Sequence, residues 1–256
     1  MKKKILFSAF IVLLLGISTY AYNASANHSW GVYHWARTAN PLSLKLGDAL
    51  TTSWDNYLST TSSDWSLSNV LDTNIIPSNV NAKTCKPTPG QANICNSKYG
   101  RNGWLGIASI WANGAHITQG TVKMNDTYFN TPQYNTSAWK NLVMCQEVGH
   151  IFGLDHQDEN FNNAPLGTCM DYSNDPVPNQ HPNQHDYDML ETIYAHLDNT
   201  NTANQSLPNE SFNSAEMTDE KDWGKEIKKA SNGKTSLFEK DFGNGHRVFT
   251  FVYWAE

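Results

Sequence analysis

Charged side chains are scarce: Asp, Glu, Lys and Arg make up 16% of the 256 residues, against about a quarter in an ordinary soluble domain. Apolar residues, at 39%, do not fill the gap; Asn, Ser and Thr do. No long apolar run follows residue 17, which argues against a polytopic membrane protein. No segment repeats. The four cysteines contain no C-x-x-C pair, so a zinc–thiolate knuckle has no support. Positive charge is also short. The formal net charge is −6, which argues against nucleic acid as a partner. Aromatics are plentiful, with 9 Trp, 11 Tyr and 10 Phe, and that load excludes a disordered chain. The length suits one domain with a real core, or one domain and a small appendage.

The N-terminus reads as a targeting segment. Lys2, Lys3 and Lys4 precede an almost wholly apolar stretch from Ile5 to Ile17, and Ala24 and Ala26 form a small-x-small site. This is the pattern of a secretory signal peptide over residues 1–26, cut before Asn27 or after Ala21. The rival is an uncleaved anchor, for which the run is short. Losing three lysines takes the net charge from −6 to −9. Export favours disulfides. Cys85, Cys95, Cys145 and Cys169 allow three pairings; closeness in sequence favours Cys85–Cys95 and leaves Cys145–Cys169.

Periodicity then sets out an α+β order of elements. Short extended pieces lie near Tyr33–Arg37 and Leu44–Leu46, around Asn40-Pro41. Leu50, Trp54 and Leu58 make a helical stripe. Residues 76–103 read as a long loop. Trp104–Trp111 and His116–Met124 flank Asn113-Gly114 as a hairpin. Thr136 or Ser137 caps a helix that Gly153 ends. Residues 157–184 are irregular, and Asp186–Leu197 forms a last helix. Residues 198–213 have linker composition. Beyond them, Thr235–Phe242 and His246–Trp254 flank Gly243-Asn244-Gly245 as a small β-hairpin within 214–256.

The chemistry concentrates in residues 145–156, Cys-Gln-Glu-Val-Gly-His-Ile-Phe-Gly-Leu-Asp-His. Gln146 and His150 are four apart on the helix and share a face. Gly153 lets the chain turn so that His156 returns six residues after His150. Two imidazoles and an adjacent carboxylate, Glu147, suit a zinc ion and a general base.

These residues resemble the metzincin clan of zinc metallopeptidases, whose signature is H-E-x-x-H-x-x-G-x-x-H followed by a Met-turn. Glu147, His150, Gly153 and His156 match position for position. Met170, in Gly167-Thr168-Cys169-Met170-Asp171-Tyr172, looks like the Met-turn. The resemblance covers about residues 30–197 by layout, is sharp only at 146–172, and implies a catalytic domain over residues 27–197. It implies a mixed twisted sheet, an active-site helix and a backing helix. It also implies one catalytic Zn2+ held by His150, His156 and Gln146, Glu147 as general base, and Tyr172 near the metal or the oxyanion. Met170 would floor the metal, and an extended peptide would add to the second hairpin strand. A Cys145–Cys169 bridge would tie the helix to the Met-turn.

Gln146 stands where the family has its first histidine. Either it is a weak ligand, or a third group replaces it (Tyr172 or His116 being nearest, though His116, His181 and His185 are not favoured), or the site is dead. Asp155, Asp158, Glu159 and Asn160 offer oxygens for Ca2+ or form a solvated loop. His34, His196 and His246 have no assigned role. The expected function is an exported zinc endopeptidase; the alternative is a non-catalytic extracellular binding protein on the same scaffold.

Overall fold

A computed structural model describes residues 27–205, 212 and 214–255. The expected signal peptide and most of the expected linker lie outside these residues. The class is α+β. Among the described residues, nine strands form one mixed sheet of order β3-β2-β4-β6-β5-β9-β8-β7, and β1 pairs with β6 beyond the start of β4.

β1 is His34–Trp35, and β2 is Leu42–Ala49, where Leu42, Leu44 and Leu46 enter the core on alternate positions. α1 spans Asp55–Trp65, later than the Leu50–Leu58 stripe predicts. Side chains explain the delay: Asp48 accepts from the Leu50 amide at 2.9 Å and Asn96 from the Thr51 amide at 2.7 Å. These bonds hold residues 50–51 out of the helix, and a turn at 52–54 follows before it starts.

β3 (Leu71–Pro77) and β4 (Gln91–Ser97) correct the reading of 76–103 as loop. β4 lies between β2 and β6, parallel to both. Its polar Asn93 is buried but satisfied, donating to Lys86 O and Thr88 Oγ1 at 2.8 Å each. Such bonds let Asn occupy a central strand despite its poor strand propensity.

β5 (Trp104–Asn113) and β6 (His116–Asn125) form the expected antiparallel hairpin. A short α2 (Asp126–Phe129) and then α3 (Ser137–Ile151) follow, the latter capped by Thr136. α4 is Gln184–Ile193, with a capping box between Asn183 and Asp186. It starts earlier and ends sooner than predicted, leaving Leu197 exposed.

The C-terminal segment does not stand apart. It adds an unexpected strand, β7 (Lys225–Lys229), to the expected hairpin β8 (Thr235–Gly243) and β9 (His246–Trp254). β9 pairs antiparallel with β5 from Trp104↔Trp254 to Asn113↔His246, so the sheet continues through it. Both faces of β5 are covered. Leu105, Ala108 and Ile110 join the core beneath the helices, while Trp104, Ile107 and Trp111 pack with Met217, Trp223 and Phe238.

Two disulfides join Cys85 to Cys95 and Cys145 to Cys169, the expected pairs. Among the described residues no helix is long and apolar enough to cross a membrane.

Candidate metal centre and active site

α3 runs between β5 and the segment that carries Met170, and every residue from Leu142 to Ile151 is buried. Small residues permit this packing. A Cβ on Gly106 would lie 2.5 Å from Val143 Cγ1 and 2.9 Å from Glu147 Oε1. A Cβ on Gly149 would lie 2.5 Å from Met170 Sδ and 2.8 Å from Trp65 Cζ2. Met170 thus packs under the helix one residue before His150. Gly153 ends the helix at φ +94° and passes against the Tyr33 carbonyl, a place only glycine fits.

The turn brings His156 back to His150. Their Nε2 atoms are 3.1 Å apart. His150 Nδ1 donates to Leu154 O at 2.8 Å, which leaves its Nε2 as a lone pair. His156 Nδ1 lies 3.2 Å from Asp155 Oδ1, and Asp155 Oδ2 accepts from Lys228 Nζ at 2.9 Å. A carbonyl partner such as Leu154 O orients a metal-binding histidine, whereas the Asp155 carboxylate is near His156 Nδ1 without a hydrogen bond to it. Two ligands at about 2.0–2.1 Å from a tetrahedral zinc stand ~3.4 Å apart, so the pair suits one ion. Burial holds both imidazoles below the usual histidine range, and the positive form of each neighbour adds to this at His150.

Gln146 donates its amide to Cys169 O at 2.8 Å, which assigns its carbonyl to the other side. That Oε1 is buried with no partner. Glu147 is buried and its Oε2 also has no partner. Burial raises its carboxyl well above the ordinary range, against the pull of the Ala108 backbone. Unpaired buried acceptors are costly, and here two occur on consecutive residues of the helix turn before His150. The donor set of two imidazoles and an amide oxygen fits a divalent ion such as zinc.

Tyr172 lies beside this pair, its ring 4.0 Å from that of His156 and stacked on Phe161 at 4.8 Å. Burial raises its hydroxyl pKa. His116 is not in this group; it contacts Asp198 at 3.3 Å. The acidic run Asp155, Asp158, Glu159 and Asn160 receives a cation from the chain itself, since Lys228 pairs with both Asp155 and Glu159.

The expected substrate edge needs correcting. β6, the second hairpin strand, is interior, with β4 on one side and β5 on the other. β5 is the strand that would be left at the edge, and β9 covers it. Phe251 of β9 stacks on His150 with ring centroids 4.0 Å apart and planes within 8°. Tyr253 donates to Ser173 O at 3.2 Å, behind Tyr172. Gln146, Glu147 and His150 are each 1% exposed. The roles of Phe251 and Lys228 were not visible in the sequence, because neither lies near the motif. Asp155 was visible in the sequence only as one of the oxygen-bearing residues of the 155–160 run, not as a partner of Lys228.

No family model matches the chain, and no curated protein is similar to it.

Proposed function

We propose that this chain is an exported zinc metallopeptidase of metzincin type, held latent by its own C-terminal hairpin. The observation that carries the reading is the pair of facing Nε2 atoms 3.1 Å apart, the His150 ring being oriented through its other nitrogen. The buried, unpaired oxygens of Gln146 and Glu147, on the helix turn before His150, support it.

His150 and His156 would hold the ion, with the Gln146 carbonyl as a third and weaker donor. When bound, zinc polarises the scissile carbonyl and lowers the pKa of a water molecule. Glu147 accepts the proton of the attacking water and delivers it to the leaving nitrogen. Tyr172, beside His156, donates to the oxygen that gains charge. Met170 and the Cys145–Cys169 bridge hold the helix against the turn. Once β9 has left, β5 pairs with an extended peptide by strand addition.

A non-catalytic binding protein is the second reading, and the complete cover over Glu147 favours it. The two part on metal chemistry. The enzyme reading expects His150→Ala to remove one zinc per chain, read by elemental analysis after equilibrium dialysis, and Glu147→Gln to keep it. A His150→Ala chain that retains the full zinc count overturns the metal assignment.

A further inference from the structure

His34, His196 and His116 lie outside the proposed active site, yet their side chains converge. His34 is the first residue of β1 and His116 the first of β6, and the two are register partners. His196 and Asp198 follow α4. Asp198 Oδ1 lies 3.4 Å from His34 Nε2, 3.3 Å from His116 Nε2 and 3.6 Å from His196 Nε2. His34 Nε2 and His196 Nε2 are 3.1 Å apart. Four edges are therefore known, and all lie close to the ~3.4 Å that separates ligands of a tetrahedral zinc.

The orientation of the groups agrees with the distances. His34 Nδ1 donates to Val32 O at 2.8 Å, so its Nε2 carries the lone pair. All three imidazoles present Nε2, not a mixture of nitrogens. Asp198 is held from its other oxygen, where Oδ2 accepts from the Arg37 amide at 3.1 Å and from Arg37 Nη1 at 3.3 Å. The Asp198 amide donates to Arg37 O at 2.8 Å. Oδ1 is thus aimed at the histidines before any ion arrives, and a carboxylate there offsets the charge of a cation. His34 and Asp198 are mostly buried, whereas the His116 and His196 side chains are 38% and 55% accessible. That leaves an entry path.

We infer that His34, His116, His196 and Asp198 form a second, structural zinc site. The ligand atoms of His34, His116 and Asp198 lie within 4.8 Å of one another, and with His196 as a fourth ligand the ion would have the closed arrangement of structural rather than catalytic zinc. The ion would tie the N-terminal strand, the β5–β6 turn and the segment after α4. Both outer pieces are linked to the end of α3: the Tyr194 hydroxyl, at the end of α4, donates to Phe152 O at 3.0 Å, and the Trp35 indole of β1 to Ile151 O at 2.9 Å.

The test uses the full chain stripped by chelator and dialysed against zinc alone. The expected result is one zinc fewer per chain in His196→Ala and in His116→Ala than in wild type, while His150→Ala combined with either variant loses a further one. The gain in thermal midpoint on adding zinc should shrink in both single variants. Both side chains are partly exposed, so folding is expected to survive, and circular dichroism checks it. A wild-type zinc count retained in both variants, with an unchanged zinc-induced stabilisation, would mean a hydrogen-bonded His–Asp cluster only and would overturn the assignment.

Discussion

A histidine that is to bind a metal must present one nitrogen without a proton, and the partner of the other nitrogen decides which. Leu154 O fixes this for His150 and Val32 O for His34. Gln146 has a comparable constraint: its amide is committed to Cys169 O, so only its carbonyl remains. Glycines set the approach of the groups around these side chains. Gly149→Ala would ordinarily stabilise a helix interior by about 1 kcal/mol. Here the new methyl meets Met170 Sδ at 2.5 Å and Trp65 at 2.8 Å, and we expect a net loss of about 1–3 kcal/mol. A lower urea midpoint confirms this; a higher one refutes it. His150, His156, Glu147 and Gly153 were legible because their spacing along one helix and its turn is local information. The need for Gly149 and Gly106 was not, since the atoms they avoid come from Met170, Trp65, Val143 and Glu147 across the fold. The second histidine cluster was missed for the same reason: positions 34, 116, 196 and 198 share no local pattern.

At the scale of elements, α3 is bound at its last turns by a covalent link. Cys145–Cys169 closes a loop of sequence separation 24 that contains His150, His156 and the chain leading to Met170. Loop entropy alone gives such a bridge about 3 kcal/mol. Replacing both cysteines by serine should therefore lower stability by about that amount and weaken zinc affinity at His150 and His156, measured by competition with a chelator. Unchanged zinc affinity would show that the bridge does not hold the site. The hairpins and α3 were read correctly because alternation, Asn-Gly or Gly-Asn-Gly turns and a Thr cap are strong local signals. β4 was not. Its Asn93 and Asn96 argue for loop by composition, but Lys86 in the preceding loop and Asp126 at the start of α2 accept from them, and burial overrides propensity. β7 was missed because all five of its residues, Lys225–Lys229, are exposed, so no apolar pattern marks it.

Across the whole molecule, the C-terminal segment clasps both faces of the sheet. On the face away from the helices, Lys123 of β6 is buried and donates to Met217 O at 2.9 Å. Burial pulls its pKa down to about 8, against the opposite pull of Glu216, Asp219 and Asp222. The folded chain thus releases this proton at lower pH than the unfolded chain, so the unfolded state binds more protons between about pH 8 and 10.5. Stability contributed by this group must rise with pH across that window, and Lys123→Met should flatten the rise, as urea midpoints at pH 7.5 and 9.5 would show. On the helix face, Phe251 caps His150 and Lys228 holds Asp155. These two contacts are what latency would rest on, and removing both gives the most direct measurement: hydrolysis of an unfolded protein substrate by the zinc-loaded Phe251→Ala, Lys228→Ala chain. Our account predicts that zinc-dependent cleavage rises at least about tenfold over wild type and vanishes when Glu147→Gln is added. A double variant that is folded and zinc-loaded, yet cleaves no faster than its Glu147→Gln counterpart, would contradict it.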